Sequence, residues 1–215
     1  MPLYAFVFDM DGVIADSNPY HKIALRQFCE KHGHTLTETE LREKIYGRTN
    51  KDWIPNLFGD IDPKLVKQYA DEKEVLFRDI YAPHIQPVPG LIEFLEDLQE
   101  IPRAIATSAP IENVDFTLDK TGTRRYFEII LDESFVSRGK PDPEIYLKTA
   151  TALNLPPGQC IVIEDSLSGV EAAKAAGSRV IAITTTHSKA EFPAVDLVID
   201  DFRGLSPKGV ISRLF

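Results

Sequence analysis

The sequence predicts an α/β protein: a Rossmann-like core on a parallel sheet, with an α-helical domain inserted after the first strand. The apolar run Tyr4 to Phe8 is typical of a strand buried on both faces of a parallel sheet. Only helical patterns follow, as far as the proline-rich stretch Pro83 to Pro89. From Gly90 onward, apolar strands alternate with helices, which indicates a parallel sheet with right-handed crossovers.

The inserted domain is predicted to contain four helical segments. The first covers Tyr20 to Lys31, where apolar residues recur at helical spacing. Thr37 and Glu40 have the spacing of a capping box and predict the start of the second. A loop is predicted at residues 47–50, after the second helical segment. The longest helix begins at Pro63 and runs to about residue 81, with proline at its tolerated first position.

The core is predicted to continue with alternating strands and helices. The strands expected after the insertion are Arg103–Thr107, Phe127–Leu131, Cys160–Ile163, Val180–Thr184 and Leu197–Ile199. The helices expected are Leu91–Gln99, Glu112–Lys120, Pro143–Leu153, Gly169–Ala176 and a short one after Pro207. We therefore expect a discontinuous α/β core of residues 1–14 and 87–215, and a helical cap domain of residues 15–86.

Composition places the chain among ordinary globular proteins. It has 215 residues, of which 43% are hydrophobic and 27% charged, enough for one substantial core and a small second domain. The net charge of −9 argues against a nucleic-acid backbone or an anionic membrane as partner. An anionic small substrate would then need a local positive group or a metal ion.

The cysteine content and the first residues indicate the compartment. The two cysteines, Cys29 and Cys160, are far apart, which favours a reducing compartment over a disulfide framework or a zinc site. Leu3 to Phe8 is too short and too soon acidic for a signal peptide. No apolar stretch approaches the length of a membrane span. We therefore expect a cytoplasmic protein. Separately, we expect the protein to be a monomer.

Two carboxylates follow the first strand directly. Asp9 and Asp11 come at its carboxyl end, which is where open α/β sheets bind their ligands. The pair is costly there unless a cation or a reaction uses it, although two acids can also simply begin a polar loop. An EF-hand is excluded, because that loop needs glycine sixth and glutamate twelfth, whereas Gly12 comes fourth and Tyr20 twelfth.

The stretch FDMDGVIADS around these acids resembles the first motif of the haloacid dehalogenase superfamily, in its β-phosphoglucomutase-like branch. The resemblance implies that Asp9 is a nucleophile that becomes phosphorylated. It also implies that Asp11 is a general acid/base whose backbone carbonyl binds Mg²⁺. The cofactor expected is therefore Mg²⁺, which offsets the repulsion between the Asp9 carboxylate and an incoming phosphate.

Three later stretches resemble the remaining motifs of the superfamily. Thr107 and Ser108 end a predicted strand, where hydroxyl and backbone N–H groups could hold a phosphate; turn capping is the alternative. Lys140, in GKPDPEIY, would place a positive charge beside the nucleophile, or else be a solvated loop lysine. Glu164 and Asp165 end another apolar strand and, with Asp9 and Asp11, are the expected metal ligands.

The same resemblance suggests substrate contacts in the helical domain. His21 and Lys73 match a histidine and a lysine of β-phosphoglucomutase, although each alone also fits the exposed face of an amphipathic helix. The GRTNK loop matches the substrate-specificity loop in position. The mutase has an arginine three residues after the loop glycine, where this chain has Asn50, with Arg48 and Lys51 beside it. The expected substrate-binding residues are Ser108, His21, Arg48, Asn50 and Lys73.

The function expected is Mg²⁺-dependent phosphoryl transfer through an aspartyl phosphate, chiefly hydrolysis of a small phosphorylated metabolite such as a sugar phosphate. A β-phosphoglucomutase and an inorganic pyrophosphatase are the alternatives within the superfamily. A neutral amide at position 50 cannot replace a bidentate guanidinium, which disfavours the mutase. The alternative outside the enzymes is a catalytically silent module that binds phosphate or has a regulatory role. The complete set of motif residues argues against this alternative.

Overall fold

The structure is a computed structural model that describes residues 3–45 and 49–215, apart from the side chains of residues 42 and 43. The chain forms two compact units. One consists of Met1–Asp16 together with Ile85–Phe215, and the other of Ser17–His84. The sequence placed the two divisions at residues 14/15 and 86/87. That the units act as catalytic core and cap stays a prediction.

The larger unit contains a six-stranded sheet in the order β3-β2-β1-β4-β5-β6. All neighbouring strands are parallel. The strands are β1 Ala5–Phe8, β2 Arg103–Ala106, β3 Ile129–Leu131, β4 Cys160–Glu164, β5 Arg179–Ile183 and β6 Leu197–Ile199. The predicted α/β fold with a parallel sheet is therefore confirmed.

Strand β1 lies in the middle of this sheet, and each of its four residues is buried. Phe8 is in register with Ile105 of β2 on one side and with Ile163 of β4 on the other. The ladder continues one residue further, because the Asp9 N–H donates to the Ile163 carbonyl at 3.0 Å. Asp9 therefore leaves the sheet at the carboxyl end of its central strand, next to the end of β4.

Helices cover both faces of the sheet. They are α5 Leu91–Asp97, α6 Ile111–Thr121, α7 Glu144–Ala152, α8 Leu167–Ala176 and α9 Pro207–Leu214. One apolar layer contains Phe6, Phe8 and Phe94, and the other contains Val7 and the buried alanines of α7 and α8. Alternate residues of β1 thus enter opposite layers, as the pleat of a strand requires.

The smaller unit contains helices α1 Asn18–Lys31, α2 Glu38–Lys44, α3 Asn50–Phe58 and α4 Pro63–Tyr81. The predicted capping box is confirmed: the Glu40 N–H donates to the Thr37 hydroxyl, and the Glu40 carboxylate accepts from the Thr37 N–H at 2.9 Å. Phe28 and Trp53 lie in a buried apolar cluster between the helices. Among the described residues, we find no helix that is both long and apolar enough to cross a membrane.

Several predicted boundaries were wrong by a few residues. Asn50 begins α3, with Thr49 at its N-cap, whereas the sequence placed Asn50 in a loop. Glu164 is the last residue of β4 and not the first of the following loop. Helix α8 begins at Leu167, two residues before its predicted start, because the Ser166 hydroxyl accepts from the Gly169 N–H and caps it.

Candidate active site

Three carboxylates meet at the carboxyl ends of the two central strands. Asp9 follows β1, Glu164 ends β4 and Asp165 comes next. Oxygen atoms of the three lie within 4.8 Å of one another, and all three residues are buried. The sequence placed these acids at the carboxyl ends of strands in one parallel sheet, and the structure confirms that they lie close together there. A buried group of three acids is costly unless cations or hydrogen-bond donors compensate its charge.

Lys140 brings a cation into this group. Its Nζ donates to Asp9 Oδ1 at 2.6 Å, to Glu164 Oε1 at 2.7 Å and to the Ala106 carbonyl at 3.3 Å. Only 6% of the Lys140 side chain is exposed, so the pairing is shielded from solvent. The interpretation of Lys140 as a solvated loop lysine is excluded by this burial. The lysine lies against the predicted nucleophile.

Burial and neighbouring charges perturb the ionisation of these groups. The pKa of Asp9 is raised to about 7, chiefly by burial and also by the charges of Glu164 and Asp11, while Lys140 opposes the rise. Burial also raises the pKa of Asp165 well above its usual value, with Glu164 and Asp9 adding to the effect. Burial disfavours the charge of Lys140, but Asp9 and Glu164 outweigh it and raise the Lys140 pKa. The raised pKa values of Asp9 and Asp165 therefore indicate that a further cation would stabilise the ionised carboxylates of this site.

Glu164 is held by four hydrogen bonds. Its Oε1 accepts from Lys140 and from the Tyr146 hydroxyl, the latter at 2.8 Å. Its Oε2 accepts from the Ser166 N–H at 3.0 Å and from the Ser166 hydroxyl at 2.9 Å. Gly169 is required below it, because a Cβ atom there would lie 1.7 Å from Oε1. The glutamate is therefore fixed in place by its surroundings.

Two threonines after β5 also contact the site, and the sequence did not predict them. The Thr186 hydroxyl donates to Asp165 Oδ2, and the Thr185 hydroxyl donates to the Gly12 carbonyl at 2.6 Å. Gly12 has a φ of 76° and lies so close to Asp165 that a Cβ would be 2.1 Å from Oδ2. Because β5 is parallel to β4, its carboxyl end could have indicated these residues.

The remaining predicted core residues lie at the same edge. Thr107 is buried at the end of β2, and its hydroxyl accepts from the Ala109 N–H at 3.1 Å. Ser108 is exposed beside it. Asp11 is partly exposed, and its charge acts on Asp9. The structure thus brings together Asp9, Lys140, Glu164 and Asp165. The roles assigned to these four residues and to Thr107, Ser108 and Asp11 stay predictions.

The donor set suits a magnesium ion. Hard divalent cations such as Mg²⁺ prefer carboxylate and carbonyl oxygens, and Asp9 and Asp165 supply carboxylates close together. Lys140 pairs with Asp9 and Glu164, and the raised pKa values of Asp9 and Asp165 indicate that this lysine does not fully compensate the negative charge of the group. The residues present therefore fit Mg²⁺.

A second buried polar cluster lies within the helical unit. Lys73 Nζ donates to Glu74 Oε1 at 2.7 Å and lies 3.2 Å from His21 Nδ1. The His21 ring stacks on Phe77, with centroids 3.6 Å apart. His21 and Lys73, predicted as substrate contacts, thus lie together, and Lys73 is buried instead of exposed. Their contact with a substrate stays a prediction.

Asn50 is tied into this cluster by both ends of its amide. Its Nδ2 donates to Glu74 Oε1 at 2.7 Å, and its Oδ1 accepts from Trp53 Nε1 at 2.9 Å. Burial disfavours the charge of Glu74, but Lys73, His21 and Asn50 outweigh it and lower the Glu74 pKa to about 2. Asn50 therefore helps to hold a buried ion pair. Arg48 lies outside the described residues.

Comparison with known proteins identifies the family. A family model described as haloacid dehalogenase-like hydrolase matches residues 4–177. The chain belongs to the haloacid dehalogenase-like hydrolase family. The match spans Asp9, Lys140, Glu164 and Asp165, the residues that meet in the structure. Membership in this family agrees with the resemblance seen in the sequence motifs.

Members of the haloacid dehalogenase-like family with similar sequences include phosphatases and a mutase. A "Phosphorylated carbohydrates phosphatase" of Thermotoga maritima is 36% identical over 80% of this chain and 81% of its own. The "Beta-phosphoglucomutase" of Bacillus subtilis is 27% identical over 80% of each chain. A solved "HAD hydrolase, family IA, variant 3" of Entamoeba histolytica superposes with a TM-score of 0.89 at 31% identity, covering 98% of this chain and 99% of that one.

Proposed function

We propose that the protein is a Mg²⁺-dependent phosphatase of a small phosphorylated metabolite, such as a sugar phosphate. The observation that carries the proposal is the Asp9 carboxylate held by Lys140 within a buried acidic group. The similarity to a phosphatase of phosphorylated carbohydrates supports the substrate class. We further propose that the protein works in the cytoplasm as a monomer, and the net charge of −9 argues against nucleic-acid partners.

In the proposed reaction, a carboxylate oxygen of Asp9 attacks phosphorus and the bond from phosphorus to the leaving oxygen breaks. Asp11 gives the leaving oxygen a proton and then takes one from the water that hydrolyses the aspartyl phosphate. Lys140 holds Oδ1 of Asp9, which fixes the orientation of the carboxylate before attack. Its charge also stabilises negative charge that develops on the transferred phosphoryl group.

The carboxylates of Asp9 and Asp165 and the backbone carbonyl of Asp11 would hold Mg²⁺. When bound, Mg²⁺ offsets the repulsion between the acidic group and the substrate phosphate. The Thr186 hydroxyl keeps Asp165 in place by donating to Oδ2. Glu164 was predicted as a further metal ligand. Because its carboxylate already accepts four hydrogen bonds from the protein, the proposed ligands do not include it.

The test of the proposed function is metal-dependent phosphate release. We expect the protein to hydrolyse members of a panel of sugar phosphates and other phosphorylated metabolites, with pyrophosphate included. Removing Mg²⁺ with EDTA should lower the rate at least about a hundredfold, and adding Mg²⁺ should restore it, because an uncompensated acidic site repels a phosphate. Free phosphate is measured. Metal-independent release of halide from a haloacid would overturn the assignment.

A β-phosphoglucomutase is the second candidate, favoured by the similarity to the Bacillus subtilis mutase and by the contact between Lys73 and His21. A mutase must grip the phosphate that is not reacting, for which the mutase resemblance suggests an arginine where this chain has Asn50. The Asn50 amide instead contacts Glu74 and Trp53. A neutral amide already engaged in this way is a poor phosphate clamp.

Supplying β-glucose 1-phosphate with its 1,6-bisphosphate discriminates the two candidates. We expect free phosphate to form faster than glucose 6-phosphate, because losing a charge-assisted contact costs about 1.5–3 kcal/mol. Both products are followed in the same reaction. Glucose 6-phosphate formed much faster than phosphate would overturn the phosphatase and favour the mutase, and Arg48→Ala would then show whether Arg48 is the clamp.

A further inference from the structure

Tyr146 is a buried titratable residue to which the proposed reaction assigns no role. It lies in the first turns of α7, and only 2% of it is exposed. Its hydroxyl donates to Glu164 Oε1 at 2.8 Å. The centre of its ring lies 5.0 Å from Lys140 Nζ, within the range of a cation–π interaction. Tyr146 therefore contacts both members of the ion pair that lies against Asp9.

The bonds around Glu164 show what this contact does. Ser166 supplies both donors to Oε2, so Oε1 faces Lys140 and Tyr146. A carboxylate oxygen accepts about two hydrogen bonds, and here one of the two donors to Oε1 is the tyrosine. Without that donor, more of the negative charge on Oε1 would act on Lys140. The lysine would then be drawn toward Glu164 and away from Asp9.

We propose that Tyr146 is a positioning residue: through Glu164 and its own ring, it holds Lys140 where Nζ reaches Oδ1 of Asp9. The kinetic consequence rests on the proposed function, because it matters only if Asp9 is the nucleophile. The contacts that hold Lys140 in this position do not depend on the proposed function. A long lysine side chain has many rotamers, and three fixed contacts, with Asp9, Glu164 and the tyrosine ring, restrict it to one.

Tyr146→Phe tests the proposal, since it keeps the ring and removes only the hydroxyl. Tyr126→Phe is the matched control, because the Tyr126 hydroxyl also donates to a carboxylate, that of Glu96 at 3.1 Å, but at the protein surface. With Mg²⁺ and p-nitrophenyl phosphate, we expect Tyr146→Phe to lower kcat/KM about tenfold. The control should stay within about twofold of the unchanged protein.

A second readout needs no substrate. The ammonium of Lys140 is observed by NMR in protein labelled with ¹⁵N-lysine, and its signal is assigned by its loss in Lys140→Met. We expect Tyr146→Phe to shift this signal, while Tyr126→Phe leaves it in place. A tyrosine that merely fills space in α7 would leave the lysine signal unchanged when only its hydroxyl is lost.

The outcomes separate the two proposals. An unchanged Lys140 signal in Tyr146→Phe, or a kcat/KM within about twofold of the unchanged protein, would overturn the positioning role. Absence of any phosphatase activity in the unchanged protein would count against the proposed function instead. The Lys140 signal alone would then decide whether Tyr146 positions the lysine.

Discussion

Asp9→Asn is expected to lower kcat for phosphate release at least about a thousandfold. The asparagine side chain is neutral and cannot form the aspartyl phosphate on which the proposed reaction depends. The change is nearly isosteric, and Lys140 retains its bond to Glu164, so the fold should persist. Steady-state kinetics with Mg²⁺ and circular dichroism of the same preparation measure both effects.

The control for this variant is Asp119→Asn, which removes an exposed carboxylate of α6 that pairs with Arg124 in the turn after the helix. We expect it to keep kcat within about twofold of the unchanged protein. If Asp9→Asn retained more than a few per cent of the activity, the covalent mechanism would be wrong. Mass spectrometry adds a direct check, since a phosphorylated chain should be trapped only when Asp9 is present.

The second large effect concerns the stability of the helical unit. We expect Glu74→Gln to lower the free energy of unfolding by about 3–5 kcal/mol at neutral pH, because it leaves the Lys73 ammonium buried without its counterion. The one tryptophan of the sequence, Trp53, is buried in this unit and joined to Glu74 through Asn50. Its fluorescence during urea unfolding measures the loss directly.

The effect should depend on pH in a stated direction. The Glu74 pKa falls from an ordinary 4.5 to about 2 on folding, so its stabilisation is complete above 4.5 and is lost as the pH falls through 2. The difference between the unchanged protein and Glu74→Gln should therefore shrink between pH 4.5 and 2.

Asp71→Asn is the matched control, because Asp71 pairs with Lys67 on the same helix but both side chains are exposed. It should cost less than about 0.5 kcal/mol at any pH. Equal destabilisation by Glu74→Gln and Asp71→Asn at neutral pH would show that burial of the Lys73 pair does not stabilise the unit.

Strand ends predicted the acidic group well, because the rule depends only on sheet topology. Once Asp9 and Glu164 follow apolar runs of one parallel sheet, their meeting at one edge is determined. Lys140 is different, since it lies in a loop far along the chain, and only the motif resemblance placed it beside Asp9. Tyr146 and Thr186 were not predicted, because a hydroxyl finds its partner only when helix and loop packing are known.

The side-chain contacts inside the helical unit could not be predicted from the sequence pattern. Adjacent residues on a helix do not usually face each other, so nothing in the sequence pairs Lys73 with Glu74. Their pairing depends on burial among helices and on the amide of Asn50, which was predicted to lie in a loop. The pattern located the helices, but side-chain partners inside a small bundle depend on distances that spacing does not contain.

The central place of β1 in the sheet has a consequence for the order of assembly during synthesis. Both of its partners, β2 from Arg103 and β4 from Cys160, lie beyond the whole helical unit in the chain. At a translation rate of about 10 residues per second, β1 waits roughly 10 s for β2 and roughly 15 s before both partners exist. Residues 17–84 form a compact unit of their own and are complete well before then. The helical unit can therefore fold while the central, wholly apolar strand of the sheet is still unpaired, so that chaperones can bind the nascent chain, or the chain can aggregate, in that interval.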